Sequence, residues 1–338
     1  MTACDRYGSL PAIGPYTLSS RVLLSPMAGI TDAPFRRIAR DFGAALAASE
    51  MTTADTSLWH TEKSRHRLDI DDDASPRVVQ IAGSEPAALA DAAAAVVTRG
   101  AHIVDINMGC PAKKVCRKLA GSALLCDVPL VTDILQAVVD AVNVPVTLKT
   151  RLGWDTDNEN ILEVASIAQD AGIAAIAIHG RTRACRYQGH ARYRKIADVK
   201  RALDIPVFAN GDIDSAQKAQ QVLEETGADG LLIGRATQGR PWILREISQL
   251  LATGELPQPL SKNKTHAMIR DHLKAVHQFY GERKGLLMAR KHLNWYCRQL
   301  GIAEAVRRSL LSLPDACDQR HMAFQVFAPV AKSQDEAA

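Results

Sequence analysis

The chain has 338 residues, 47% of them hydrophobic and 5% aromatic, which excludes a disordered or low-complexity protein and leaves one large α/β barrel with an appendage or two ordinary domains. Its net charge of +4 is unevenly placed: residues 1–254 hold 28 Lys and Arg against 29 Asp and Glu, while residues 255–338 hold 13 against 8. The positive C-terminal quarter points to an anionic partner such as nucleic acid, although a solvated helical face is the commoner meaning of any one basic cluster.

Seven cysteines, at positions 4, 110, 116, 126, 185, 297 and 317, include no C-x-x-C pair. They fit neither a disulfide framework nor a zinc centre, and no metal site is expected. No run reaches the roughly 18 uninterrupted apolar residues of a membrane span, and the N-terminus has no apolar signal core. A monomer in the reducing cytoplasm is expected.

In chain order, eight short β-rich runs are each followed by a longer segment: VLLSPMA (22–28), ALAASEM (45–51), RVVQIAG (77–83), HIVDINM (102–108), VPVTLKTR (144–151), AAIAIHG (174–180), IPVFANGD (205–212) and DGLLIGRA (229–236). Most of the intervening segments have helical period and close on glycine. The exception is 52–74, which is polar and reads as loop around DIDDDA. Alternating βα units predict a parallel sheet, and eight of them predict a closed (β/α)8 TIM barrel, with an open doubly wound sheet as the alternative. After GELPQPLSKNKTH, a linker by its Pro, Lys and Asn content, the chain turns purely helical. The domains read as a barrel over 13–254, a helical domain over 255–325 and a disordered tail over 326–338.

An active site in such a barrel forms at the C-terminal strand ends. Standing there are SPMAG, Glu50, Gln80, Asn107 with Cys110, Lys149 with Arg151, His179, Asn210 with Asp212, and GRA. Lys149 inside a strand needs carbonyl or anionic oxygen to offset its desolvation; the alternative is a lysine snorkelling to solvent. For His179 alone a satisfied core histidine is the commoner reading, and only its place at this rim reverses that. The glycine-bearing loops ANGDIDS and IGRATQG, after strands seven and eight, can cradle a phosphate at a helix N-terminus. With no G-x-G-x-x-G or P-loop pattern, a mononucleotide cofactor is favoured over a dinucleotide. A flavin fits, since Gln80 can hydrogen-bond its polar edge and Lys149 can supply a cation near N1 and O2.

Residues 171–197 hold no acid but contain Arg181, Arg183, Arg186, Arg192, Arg194 and Lys195, and Lys113, Lys114, Arg117 and Lys118 follow strand four. Phosphate backbone is the natural complement of such a rim. Pro111 biases Cys110 away from helical geometry, so its thiol is expected over the pocket, and the nearby cations are expected to favour thiolate unless bound phosphates screen them.

The motifs SPMAGITDAPFR, QIAGS, DINMGCPAKKV with LAGSALL, LKTRLGW, IHGRTR, ANGDI and IGRATQGRPW resemble those of the tRNA-dihydrouridine synthases, most closely the bacterial B-type subgroup, over about 13–300. The resemblance implies a flavin barrel joined to a helical RNA-binding domain that uses FMN and NADPH to reduce a D-loop uridine of tRNA, uridine 17 in this subgroup. It implies FMN contacts at Pro26, Met27, Ala28, Gln80, Lys149, Asn210, Gly211, Asp212, Gly234 and Arg235, with His179 nearby, and Cys110 as the catalytic acid. Candidate tRNA contacts are Asn107, Lys113, Lys114, Arg151, Arg181 and Arg183, with Arg290 and Lys291 in the helical domain. Residues 1–12 read as an extension of the family core. Two rivals stay open: a flavin barrel acting on a free pyrimidine, and a tRNA-binding module with vestigial catalysis.

Overall fold

The computed structural model describes residues 7–329. Residues 1–6 of the expected extension, Cys4, and the expected tail from 330 onward lie outside the described residues. The chain divides into two compact units, one of residues 1–236 with 242–256 and one of 237–241 with 257–338.

In the first unit, parallel strands form a (β/α)8 barrel: Val22–Leu24, Thr52–Thr53, Val78–Ala82, Ile103–Asn107, Val146–Arg151, Ala175–His179, Val207–Asn210 and Gly230–Ile233. The second run departs from expectation. Residues 45–51 are not a regular strand, since only Ala47 and Ala48 bridge to Leu24 and Val78, and ladder pairing begins at Thr52. Alanine gives a pleat little side chain to pack, so this stretch closes the barrel through isolated bridges. The polar segment after it is also not all loop. A 3-10 turn, Thr56–Leu58, and a helix, Glu62–Leu68, are capped by Asp55 and Thr61 side chains accepting from Ser57 and Ser64 amides. Asp69–Ala74 does stay irregular, yet Ile70 is buried and Asp73 pairs with Arg36 at 2.7 Å.

The strands are buried on both faces, as a helix-covered parallel sheet must be. Side chains alternate outward to the helices and inward to the lumen. One end of the lumen is apolar, with Leu23, Val78, Ile103, Phe208 and Leu232 meeting Ile13 and Leu18 of the hairpin Ala12–Ile13/Tyr16–Thr17. Arg21 fastens the preceding chain by donating to the Tyr7, Gly8 and Ser9 carbonyls and to that of Asp229. An apolar cavity runs from Ile13 up to Asp105 and Thr147. Above it the inward positions turn polar. The register sets Gln80 beside Asp105, Asp105 beside Thr147, Asn107 beside Lys149, Arg151 beside His179, and His179 beside Asn210. Strand alternation thus converts five separate sequence runs into one polar layer at the C-terminal rim.

The second unit is helical. Its long helix, Lys262–Gln299, breaks at Gly281, whose φ of 71° and ψ of 175° are open only to glycine at low cost. Helices Glu304–Ser312 and Ala316–Val326 complete the unit. Its core holds three histidines. His272 Nδ1 lies 2.8 Å from the Tyr296 hydroxyl, the His272 and His292 rings meet edge-on at 4.5 Å, and His277 Nε2 lies 3.2 Å from Gln319 Oε1. Burial holds all three below the ordinary imidazole range, His272 down to about 3. Their folded values are depressed, so stability is full above the unfolded value of 6.5 and is lost as pH falls through it, because only the unfolded chain then takes up protons. Hydrogen exchange across 262–326 is therefore expected to accelerate between pH 7.5 and 5.5, after correction for intrinsic rates, more than exchange in the barrel strands. Equal responses in the two units would refute this.

Candidate active site at the barrel mouth

Cys110 stands where strand Ile103–Asn107 ends, half-buried, and its backbone is held on every side. Its amide donates to Asn107 Oδ1 at 2.9 Å, and its carbonyl accepts from the Ser122 amide at 3.1 Å and hydroxyl at 2.9 Å. Gly109, just before it, accepts from Arg151 Nε at 2.6 Å. Gly121 has φ 63°, and a Cβ there would fall 2.8 Å from the Cys110 carbonyl oxygen, so the loop closes on the cysteine only with glycine at this point. Burial raises the thiol above its ordinary value and outweighs the lowering by the Ala112 amide, Arg151 and Lys149. The expectation that neighbouring cations favour thiolate is thereby corrected. Lys113, Lys114, Arg117 and Lys118 are exposed, where water screens them, and desolvation of the sulfur dominates.

Lys149 is 9% exposed, yet among the described residues its ammonium donates only to Asn210 Oδ1, at 3.2 Å, and forms no ion pair. Burial, then Arg151, lowers it to about 8 against the opposing pull of Asp105 and Cys110. Asn210 is fixed in turn by donating to the Leu232 carbonyl at 2.8 Å. His179 is held neutral, down to about 2, by burial and by the Arg151, Lys149, Arg181 and Arg235 cations. Gln80 is buried and engaged at both ends of its amide: Nε2 donates to Asp105 at 2.6 Å and Oε1 accepts from Asn107 at 2.8 Å. One N–H and one lone pair remain to it.

Several expected residues are placed differently from a free contact. Arg181 is 2% exposed and forks onto both Asp212 oxygens, at 2.8 and 2.5 Å, and onto the Gln188 and Gly189 carbonyls. It is scaffold for the loop after strand six, not a surface cation. Asp212 also accepts from Ala191 N and from Arg235 at 3.1 Å, so its carboxylate is saturated by protein. Arg151 is buried on Gly109 and Thr182 carbonyls. Arg183 stacks on Trp154 at 4.1 Å, and Glu159 pairs with Arg192 and Lys195. Half of the acid-free basic loop is thus neutralised by acids distant in sequence. Arg186 and Arg194 remain exposed, as Lys113 and Lys114 are. Pro26 and Met27 are half-buried and Ala28 is exposed at the end of the first strand. A Cβ at Gly234 would come no nearer than 3.6 Å to Ser25, whereas one at Gly211 would press on the His179 ring at 2.9 Å. In the helical unit Arg290 is half-buried and donates to the Leu313 carbonyl at 2.8 Å, and Lys291 is half-buried.

Sequence reading missed three participants. Tyr187, 47% exposed with a left-handed φ of 69°, sets its ring 4.9 Å from the Arg235 guanidinium, 5.4 Å from that of Arg151 and 5.8 Å from the His179 ring. It is an aromatic platform over the pocket, and an aromatic inside a basic rim loop was the signal for it. Asp105 and Thr147, joined at 2.7 Å, are the others. Among the described residues no group of three or more His, Cys, Asp or Glu could hold a metal ion, and no described helix is long and apolar enough to cross a membrane.

Residues 23–328 match the family model for dihydrouridine synthase. The chain is 55% identical over 323 residues to tRNA-dihydrouridine synthase B of Pseudomonas syringae pv. tomato, covering 96% of both chains. It is 55% identical over 320 residues to the protein of the same name from Pseudomonas aeruginosa, covering 95% of this chain and 96% of the relative. With that of Vibrio cholerae it shares 52% over 307 residues, 91% of this chain and 95% of the relative. A match across nearly the whole length, joined to a (β/α)8 barrel whose rim gathers the motif residues, places this chain in the dihydrouridine synthase family.

Proposed function

We propose that this protein is a flavin-dependent tRNA-dihydrouridine synthase that reduces a D-loop uridine, uridine 17 by its resemblance to the B-type enzymes, with NADPH as reductant. The observation that carries the reading is Lys149, a buried ammonium whose one hydrogen-bond partner among the described residues is the neutral Asn210, in the same barrel mouth as a thiol that burial keeps protonated.

The donor set fits FMN. Lys149 suits the electron-rich N1–O2 edge of the ring, with Asn210 and the remaining groups of Gln80 beside it. Arg235, whose side chain is mostly exposed, and the turns at Gly211–Asp212 and Gly234–Arg235 suit the phosphate. Pro26, Met27 and Ala28 stand at the end of the first strand and neutral His179 at the end of the sixth. When bound and reduced, a flavin supplies hydride to C6 of the uracil. The chain's own residues do the rest. Cys110 holds its proton at Sγ and releases it to C5 as general acid. Asn107 keeps the Cys110 backbone in place, and Tyr187 offers the base a stacking face. Exposed Lys113, Lys114, Arg186 and Arg194 meet tRNA phosphates, and the basic helical unit binds RNA through its own cations, Arg290 and Lys291 among them.

The test is direct. Purified protein is expected to be yellow and, with NADPH and unmodified tRNA, to form dihydrouridine that mass spectrometry maps to one D-loop position, while free uridine stays unreduced. Turnover of free uridine would favour the free-pyrimidine rival, and a colourless protein inert toward tRNA would end the reading.

A further inference from the structure

Inside the barrel, one layer below the Lys149 ammonium, Asp105 is 7% exposed and accepts two hydrogen bonds, from Thr147 Oγ1 at 2.7 Å and Gln80 Nε2 at 2.6 Å. Neither a cofactor nor a base at the rim needs a carboxylate at that depth, and an isolated buried carboxylate is costly. Its effect is directional. An ionised carboxylate can only accept, so the Gln80 amide must turn its NH2 toward Asp105 and its oxygen toward Asn107. Asn107 must then donate through Nδ2, at 2.8 Å, and this leaves Oδ1 to accept from the Gly109 amide at 3.2 Å and the Cys110 amide at 2.9 Å. Reversing either amide would set two donors or two acceptors against each other along the whole line.

We infer that Asp105 is a positioning residue: through Gln80 and Asn107 its carboxylate fixes the polarity of an amide chain that ends on the Cys110 backbone and so sets the stance of the thiol. The inference deepens the proposed role of Cys110 and rests on that reading only for its catalytic meaning. Thr147 is the second anchor, holding the other carboxylate oxygen. Among the described residues Lys149 is the charged group acting on Asp105 from the neighbouring strands; Thr147 and Gln80 face it as neutral partners. Burial raises the Asp105 carboxyl to about 6, with the Thr147 and Gln80 hydrogen bonds and Lys149 opposing. Below that pH the protonated acid can donate instead of accept, and the chain loses its imposed direction.

The experiment follows thiol reactivity, which needs neither tRNA nor turnover. The full-length protein is treated with 4,4′-dithiodipyridine from pH 4.5 to 8, and modification at Cys110 is mapped by mass spectrometry. Wild-type reactivity, normalised to a Cys110-containing unfolded peptide, is expected to rise about fivefold as pH falls through 6, the factor that one released hydrogen bond gives. In Asp105→Asn that inflection is absent. In Thr147→Val it persists and moves to higher pH, because one of the bonds that lowers the carboxyl is gone. A merely structural role for Asp105 would change overall reactivity without moving a pH midpoint. The inference is overturned by a flat normalised profile in wild type, or by the same inflection surviving in Asp105→Asn. If the inflection behaves as expected but no dihydrouridine forms on tRNA, the positioning role stands and the functional reading fails.

Discussion

Cys110→Ala is expected to slow dihydrouridine formation by about 100- to 10,000-fold, the range over which a positioned general acid contributes, while the flavin spectrum and tRNA affinity stay within about twofold of wild type. The asymmetry follows from position. Cys110 is half-buried at the rim, its amide and carbonyl are occupied by Asn107 and Ser122, and the thiol itself is what the loop presents. Removing sulfur therefore deletes a proton source and little scaffold. Burial already raises the thiol, so the acid form dominates at neutral pH without any phosphate to screen its neighbours. Single-turnover rates are accordingly expected to be flat from pH 7 to 8 and to fall only as the thiol ionises at still higher pH. Cys116→Ala serves as the control, since that sulfur lies against the Cys110 carbonyl at 3.7 Å and the Ser122 hydroxyl at 3.6 Å. Rapid quench of the reduced enzyme with unmodified tRNA checks both. A Cys110→Ala enzyme as fast as wild type, or a Cys116→Ala enzyme equally slow, would assign the proton to another group.

The barrel was legible because parallel strands buried on both faces leave apolar runs of the right length, and eight recur. Two places were not. The stretch 45–51 has strand composition only in part, and alanines pair wherever their neighbours pull them, so its ladder starts later than the run suggests. The helix Glu62–Leu68 carries almost no apolar stripe and forms on its Thr61 cap and on packing, neither of which hydrophobic period reports. Within the site, residues that end a strand were legible, because strand-end position is a sequence property once the period is known. What each cation does was not. Arg181 and Arg183 read as members of one basic loop, but Asp212, 31 residues after Arg181, and Trp154, 29 residues before Arg183, determine that one is buried scaffold and the other is stacked. Asp105 was hidden by its place within an apolar run, where only the cross-strand register brings Gln80 and Thr147 to it.

Lys149→Met carries a prediction with opposite signs in two measurements. The ammonium is buried against one neutral oxygen, and its fall from 10.5 to about 8 corresponds to a folding cost of about 3 kcal/mol. Methionine fills the same volume without a charge, so the flavin-free variant is expected to be more stable than flavin-free wild type at pH 7 by about 2–3 kcal/mol. The folded value is the depressed one: below pH 8 both states are protonated and the full cost is present, and between 8 and 10.5 the folded lysine is neutral while the unfolded one is charged. Wild-type stability therefore recovers relative to Lys149→Met as pH rises from 8 to 10.5, and thermal melts of the two apoproteins at pH 7 and 9.5 isolate this residue. FMN affinity moves the other way. Loss of a charged donor to the ring edge is expected to weaken binding about 10- to 100-fold at pH 7, and the wild-type affinity, which needs the charged form, declines above about pH 8 while that of the variant does not. Stability and affinity trading in this way is the signature of a cation kept for a ligand. A variant that is less stable without flavin and binds it unchanged would make Lys149 an ordinary part of the barrel and remove the main support for a flavin at this mouth.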